Sequence, residues 1–417
     1  MIKQCAVTDI ESRSECNPYD STGFLPLIVA PMYSCIDKHN AHVFLDNKIK
    51  VCMPRKEYMD ETYTHCSNEN YFDSYSLEEF VENFINSEDG FLNDSNYNKV
   101  KTSVCIDTAA GHLKKLHDAV RKAKDIHGDK LVIMAGNVSS VEAFVELATT
   151  GVDYIRVGIG GGGGCNTTSN TGVGQKNLYK LIKKCNKVRQ NIINNIPYWK
   201  EIGVYKKDNA INPSELEDYN TGKIKIVADG ISSYIKFCEK EYGFNDNGYA
   251  AINKLLCSGA NLVMVGSLFA QCVESAGEKG IFSPDCNDIR DIDEFNTDMG
   301  CDLVGDEYKS YEEYWNSIDG NTKYPIMVKY AGMSTQAEQK KYKELELVIE
   351  KDEHLDLHHT VNKQNIKPSE GSVKWIPVRW SLQEWLYGSD NQDEYPYLMG
   401  WINSIKSAMS YLGTKNL

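Results

Sequence analysis

Seven short apolar runs, each closing on small or polar residues, constrain this chain more than any other feature. They are "PLIVAPM" (26–32), "KIKVCMP" (48–54), "TSVCIDTAAG" (102–111), "KLVIMAGNV" (130–138), "DYIRVGIG" (153–160), "KIKIVADG" (223–230) and "NLVMVGS" (261–267). Their apolarity is continuous rather than alternating, which is the pattern of strands buried on both faces. Helix-period segments separate several of them. In "SSVEAFVELATTG" (139–151), Ser139 stands three residues before Glu142, the spacing of a capping box; Val141, Phe144, Val145 and Ala148 share one stripe, and Gly151 sits where a C-terminal glycine belongs. "SLEEFVENFI" repeats the start signal with Ser76 and Glu79. Strands alternating with helices predict a parallel sheet with crossover connections. Because functional-looking residues close nearly every run, an α/β architecture of the (β/α)8 TIM-barrel type fits better than an open doubly wound sheet, where they would gather at one switch point.

The whole chain, 1–417, reads as one barrel domain. Two stretches fall outside the alternation, 281–322 and 338–367; both are acidic or mixed in charge with little apolar periodicity, and are expected as lid or flap insertions on the barrel's loop face. With 45 basic and 59 acidic residues the net charge is -14, which disfavours a partner held by phosphate neutralisation such as nucleic acid. The 13 cysteines never fall in CxxC spacing, so neither a zinc ribbon nor a disulfide framework is expected, and a reducing compartment is. No signal-peptide core and no apolar run near the roughly 20 residues of a membrane span are visible. The expectation is a soluble, cytoplasmic chain.

"GIGGGGGCNTTSNTGVG" (158–174) is the most unusual segment. Five glycines, Gly160 to Gly164, follow a strand directly, so the backbone there can take positive φ and bring its N–H groups close to a ligand. A flexible connector is the alternative, but linkers rarely begin at the last residue of a buried strand. Cys165 ends the run. Most cysteines are inert buried hydrophobes, yet a thiol in a glycine loop at a barrel mouth is accessible and near amides that favour a thiolate. Thr167 and Thr168 share its pocket or are ordinary loop hydroxyls. Asp107 and Asp229 each end an apolar strand, where a carboxylate is costly unless it faces an open mouth; a ligand hydroxyl or a helix N-cap would explain them. Gly266 and Ser267 could present amides to a phosphate or form a tight turn. His112, His358 and His359 lie in no cluster with ligand spacing, and no metal site is assigned to them.

Taken in order, these stretches resemble the IMP dehydrogenase/GMP reductase family. The resemblance rests on "APM" (30–32), "IDTAAGH" (106–112), "MAGNVSSVEAFVELATTGVDYIRVGIG" (134–160), the cysteine loop, "VADG" (227–230), "GANLVMVGSLFA" (259–270), "ESAGE" (274–278), "YAGMS" (330–334), "SEG" (369–371) and "GWINSIKSAMSYLG" (400–413). It implies a barrel in which Cys165 attacks C2 of a purine nucleoside monophosphate while a nicotinamide cofactor exchanges hydride with that carbon. Thr167 is then the catalytic threonine, Asp229 the ribose ligand, and Gly230, Gly266, Ser267 and Tyr330 the 5′-phosphate site. Met333 and Ser334 would contact the base, and Asp107, Ala109 and Gly111 the cofactor. Carbonyls of Gly160, Gly162 and Cys165 would host a monovalent cation such as K+. A homotetramer is also implied.

The same resemblance implies a direction. The dehydrogenase branch carries an Arg-Tyr pair on a flap and an inserted regulatory domain after the second strand. Here the flap region, 346–371, contains no arginine, and 55–100 is too short for that domain. The reductase branch pairs its threonine with the glutamate of "SEG", here Glu370, and continues its loop as "TGVG", here 171–174. NADPH-dependent conversion of GMP to IMP is therefore the expected activity, with NAD-dependent oxidation of IMP to XMP as the alternative. Three positions depart from the family pattern: Gly163 replaces a serine that touches phosphate, Ile231 replaces a glycine beside it, and Tyr33 replaces an aspartate. A variant purine nucleotide, or a member that binds without turnover, stands behind these two readings.

Overall fold

The fold is that of a computed structural model, which describes residues 3–56, 69–86, 101–108, 110–193, 224–242, 247–284, 287–299, 309–317, 324–331, 373–388 and 400–417. Eight parallel strands close into a barrel: β1 (Leu27–Val29), β2 (Lys50–Cys52), β3 (Tyr71–Tyr75), β4 (Thr102–Ile106), β5 (Leu131–Val138), β6 (Tyr154–Val157), β7 (Lys225–Ala228) and β8 (Leu262–Val265). Closure comes from β1 pairing with β8, Ile28 opposite Met264. All seven apolar runs are barrel strands. The eighth, β3, has the sequence YFDSY and alternates; Phe72 faces into the barrel while Asp73 faces outward toward the helical layer.

Two apolar shells follow from the alternation of side chains along each strand. The inner one fills the barrel with Ile28, Cys52, Phe72, Cys105, Met134, Tyr154, Val227 and Met264, so the interior is a packed core and not a pore. The outer one joins the other strand face to the helices. Among these helices are α1 (Ala41–Asp46), α2 (Leu77–Val81), α3 (Lys114–His127), α4 (Val141–Ala148), α5 (Thr167–Thr171), α6 (Leu178–Ile193), α7 (Ser232–Tyr242), α8 (Tyr249–Leu256) and α9 (Ser267–Ala270). The capping box at Ser76 and Glu79 forms as expected. That at Ser139 and Glu142 does not: the cap falls one residue later, where the Ser140 hydroxyl accepts from the Ala143 amide. Gly151 takes φ +84° just past α4.

Within 281–322 the described residues are folded, not featureless. Strands β9 (Lys279–Ser283), β10 (Asp288–Arg290), β11 (Ile326–Ala331) and β12 (Val373–Pro377) form an antiparallel sheet in the order β10-β9-β11-β12. Helices α10 (Ile292–Met299) and α11 (Tyr311–Ser317) cover it. This unit has its own core of Val273, Ile281, Phe295, Tyr314, Ile326 and Val328. Alternation along β11 puts Ile326 and Val328 into that core, and Tyr330, two residues further on the same face, into the barrel's outer shell. The stretch 338–367 lies outside the described residues. The chain then returns through α12 (Leu382–Tyr387) and α13 (Gly400–Leu412), whose Trp385 and Trp401 rings stack 6.0 Å apart. Among the described residues no helix is long and apolar enough to cross a membrane.

Candidate active site

The C-terminal ends of the barrel strands surround a cavity of about 280 Å³. Each wall follows from a strand ending: Pro31 and Met32 after β1, Arg55 after β2, Asp107 and Thr108 after β4, the glycine loop after β6, Asp229 and Gly230 after β7. Tyr330 reaches the same cavity from β11. Of the expected site residues the structure thus brings together Cys165, Thr167, Asp107, Asp229, Gly230, Gly160, Gly162 and Tyr330. Gly266 and Ser267 cap and begin α9 just behind it. Gly111 packs against the β5 turn, its amide donating to Asn137 O at 3.1 Å. Glu370, Met333, Ser334 and Ala109 lie outside the described residues.

The glycine run divides into two parts with different causes. Gly160 has φ +76°, and a Cβ there would collide with the Thr168 hydroxyl. A Cβ on Gly161 would collide with Gly230 O, because the two loops touch: the Ser233 amide donates to Gly161 O at 2.9 Å. Backbone approach therefore demands glycine at 160 and 161. At Gly162 a Cβ would meet only Cys165 Cβ, at 3.5 Å. Gly163 is bounded by hydroxyls, with Ser232 Oγ 3.2 Å, Ser267 Cβ 3.4 Å and Tyr330 Oη 3.5 Å from where its Cβ would stand.

Cys165 follows this run, its amide donating to Gly162 O at 3.2 Å and its thiol donating to the Thr167 hydroxyl at 3.2 Å. It is half-buried and faces the cavity. Burial pushes the thiols of Cys35 (up to about 12), Cys52, Cys185 and Cys272 well above the ordinary range, leaving them protonated core groups. None of these four lines the cavity, whereas Cys165 does. Tyr330 is buried with its hydroxyl 4.0 Å from the Met32 sulfur, and burial raises its phenol far above the usual range, so it stands as a neutral donor.

A chain of alternating charge crosses the mouth. Arg55 Nε lies 3.2 Å from Asp107 Oδ2, and Arg55 Nη2 donates to Asp107 O at 2.8 Å. Arg156 Nη1 lies 3.2 Å from Asp107 Oδ1, and Arg156 Nη2 lies 3.0 Å from Asp229 Oδ2. Asn137 Nδ2 donates to the same Asp229 oxygen at 2.7 Å, and the Gly230 amide donates to Asp229 Oδ1 at 2.6 Å. Burial alone would raise Asp107, but the Arg55 and Arg156 guanidinia outweigh it and hold the carboxyl below its ordinary value. Neither aspartate is a helix N-cap. Both side chains are held by Arg156, and Asp229 lines the cavity in the orientation that Arg156 and Asn137 fix.

Sequence reasoning did not single out Arg156, Asn137, Arg55 or Ser232. The signal for Arg156 was available: it is a charge inside the apolar run "DYIRVGIG", tolerable in a barrel interior only with paired carboxylates. Asn137 is turned into the mouth by a register shift between Gly136 and Val138 where β5 meets β6, which no composition cue announces. Tyr33, the departure after "APM", is buried and donates its hydroxyl to Arg55 O at 2.8 Å, bracing the loop that carries Arg55.

Comparison with known proteins overlaps one part of this site. A family model described as "IMP dehydrogenase / GMP reductase domain" matches residues 97–211, which include β4 to β6 and the cysteine loop. A GMP reductase of Edwardsiella ictaluri is 44% identical over 80 residues, covering 19% of this chain and 23% of the relative. An inosine-5′-monophosphate dehydrogenase of Halalkalibacterium halodurans is 29% identical over 179 residues, 43% of this chain and 27% of the relative. That of Bacillus subtilis is 31% identical over 179 residues, again 43% and 27%. The chain thus spans about a quarter of the length of the curated relatives it matches. A closed parallel barrel, a cysteine at the end of the β6 glycine loop, and partial matches to both branches agree, and residues 97–211 of the chain are similar to the IMP dehydrogenase / GMP reductase domain.

Proposed function

We propose that this protein is a purine-nucleotide oxidoreductase acting at purine C2 through Cys165, in the reductive direction: GMP, NADPH and a proton to IMP, NADP+ and ammonia. The observation that carries the reading is the cavity-facing Cys165 thiol bonded to Thr167 at 3.2 Å, opposite a carboxylate, Asp229, fixed in place by Arg156 and Asn137. In this reading the Cys165 sulfur adds to C2, the exocyclic amine takes up a proton and departs as ammonia, and the hydride then delivered to C2 precedes expulsion of the thiolate. Thr167, with Glu370 as its partner, manages the proton on the leaving amine. Asp229 holds the ribose hydroxyls; Gly230, Gly266, Ser267 and Tyr330 hold the 5′-phosphate, and Met333 and Ser334 the base.

The nicotinamide cofactor supplies the hydride. The residues on the other side of Cys165 suit it: the cavity continues past Thr108 and Asp107 to Arg55, an open wall with both charge signs. Ala109 and Gly111 are the further residues proposed to contact the cofactor. Backbone carbonyls of Gly160, Gly162 and Cys165 are the proposed ligands for K+, and a homotetramer the proposed assembly. The IMP dehydrogenase reading, with NAD, is favoured by one observation, that matches to such relatives run over 179 residues rather than 80. Against it, 346–371 contains no arginine to activate water.

The deciding experiment mixes the protein with GMP plus NADPH, and separately with IMP plus NAD, and follows nicotinamide absorbance. Loss of absorbance in the first mixture is expected. A gain in the second with none in the first reverses the direction, and silence in both removes the reading.

A further inference from the structure

The departure at Gly163 has a structural counterpart on the facing loop. Ser232 and Ser267 begin α7 and α9, and their hydroxyls lie 2.7 Å apart. A Cβ on residue 163 would stand 3.2 Å from Ser232 Oγ, tighter than nearly all real contacts of that kind, so the Ser232 hydroxyl fills the space that a side chain at 163 would claim. Tyr330 Oη borders the same spot at 3.5 Å. Two hydroxyls, of Ser232 and Tyr330, and the Ser267 Cβ, from three separate elements, therefore border one bare backbone position. Ser232, Ser267 and Gly163 all keep partial exposure, next to Gly162, Gly164 and Tyr330 of the cavity wall. The Ser232–Ser267 pair matches an oxyanion: one hydroxyl donates to the other, and the second keeps its proton for an acceptor outside the pair.

We infer that Ser232 is a phosphate-reading residue of this chain: its hydroxyl, braced by Ser267, takes the contact that a side chain at position 163 cannot make. The inference rests on the purine-nucleotide reading above and extends it to a residue that reading does not use. The geometry also couples the two positions. A serine at 163 and the Ser232 hydroxyl compete for one volume, so each is accommodated best when the other is small.

Titration calorimetry on the full chain tests this with GMP and IMP against guanosine and inosine. Ser232→Ala is expected to weaken nucleotide binding about tenfold, as for loss of one charge-assisted hydrogen bond, while changing nucleoside binding less than about twofold. Gly163→Ser alone is expected to weaken nucleotide binding by about threefold or more, through crowding against Ser232. The double variant, with a hydroxyl returned at 163 and the competing one removed, is expected to recover to within about threefold of the parent, a non-additivity that a purely structural role would not produce. Nucleotide affinity unchanged in Ser232→Ala, equal weakening of nucleoside and nucleotide, or additive losses in the double variant would each overturn the inference while leaving the nucleotide reading intact. A parent protein that binds neither GMP nor IMP removes both.

Discussion

Asp107 and Asp229 sit at the ends of β4 and β7, on different sides of the barrel mouth, and share one guanidinium, that of Arg156, at 3.2 and 3.0 Å. Arg156 is 8% exposed. Removing it strands two carboxylates in a poorly solvated place, which costs far more than the pair contributes as a net attraction. Arg156→Met is expected to destabilise the fold by about 3–5 kcal/mol in chemical denaturation. The pH profile carries the sign: a carboxyl held below its ordinary value contributes stability that is present above the unfolded-state value near about 4 and is lost as pH falls below it. In the variant Asp107 keeps burial and loses one of its two cations, so the acid transition should move to higher pH. An unchanged acid midpoint would mean that Arg55 alone holds Asp107.

Cys165→Ala is expected to abolish hydride transfer, by at least about 10³-fold, while nucleotide affinity changes only severalfold, because the covalent step is lost and the ribose and phosphate contacts are not. Stopped-flow absorbance with parallel calorimetry measures both. Retained turnover would show that the thiol is a bystander.

The glycine loop offers a contrast between neighbours. Gly161→Ala drives a methyl group into Gly230 O and should force the β6 and β7 loops apart, weakening nucleotide binding by at least about tenfold. Gly162→Ala meets only Cys165 Cβ at 3.5 Å and should bind within about threefold of the parent. Binding that falls equally in both would refute the division of the run into obligatory and tolerant glycines.

Asp73, outside the barrel on β3, is raised by burial to about 6, against the opposing pull of the Tyr71 hydroxyl that donates to it at 2.7 Å. A raised carboxyl costs nothing below its unfolded value near about 4 and increasingly disfavours the fold as pH rises through 6. Part of its surface stays open to solvent, which trims the penalty. Asp73→Asn should therefore stabilise the protein by about 2 kcal/mol at pH 8 and by nothing at pH 4, measured by denaturant titration at both.

Most of the barrel was legible in the sequence because parallel strands buried on both faces leave continuous apolar runs. β3 escaped for the converse reason. YFDSY alternates, its inner face holding Phe72 and Ser74 while Asp73 points away, so no run exists to be seen. The cysteine loop was legible as a site, since its glycines follow a strand and end in a thiol. Its internal logic was not: the collision that fixes Gly161 is with Gly230, 69 positions away in the numbering, and only the folded chain brings them together. Likewise the strand-terminal carboxylates Asp107 and Asp229 could be picked out singly, whereas their common cation sits on a third strand. Tyr330 was reached through resemblance alone, because β11 belongs to a sheet whose strands lie between acidic segments with no barrel periodicity.

That sheet packs around its own small core and lends the barrel mouth one ring, Tyr330. Whatever occupies the mouth consequently touches two hydrophobic units at once, and its binding energy is shared between them. Occupancy becomes a cohesive force: ligation should slow local opening of β9 and β11 although they lie outside the barrel, and loosening of the small core should be felt as a weaker grip on the ligand. A filled site would add one more link to the packing that already joins the barrel and its appended sheet through Tyr330.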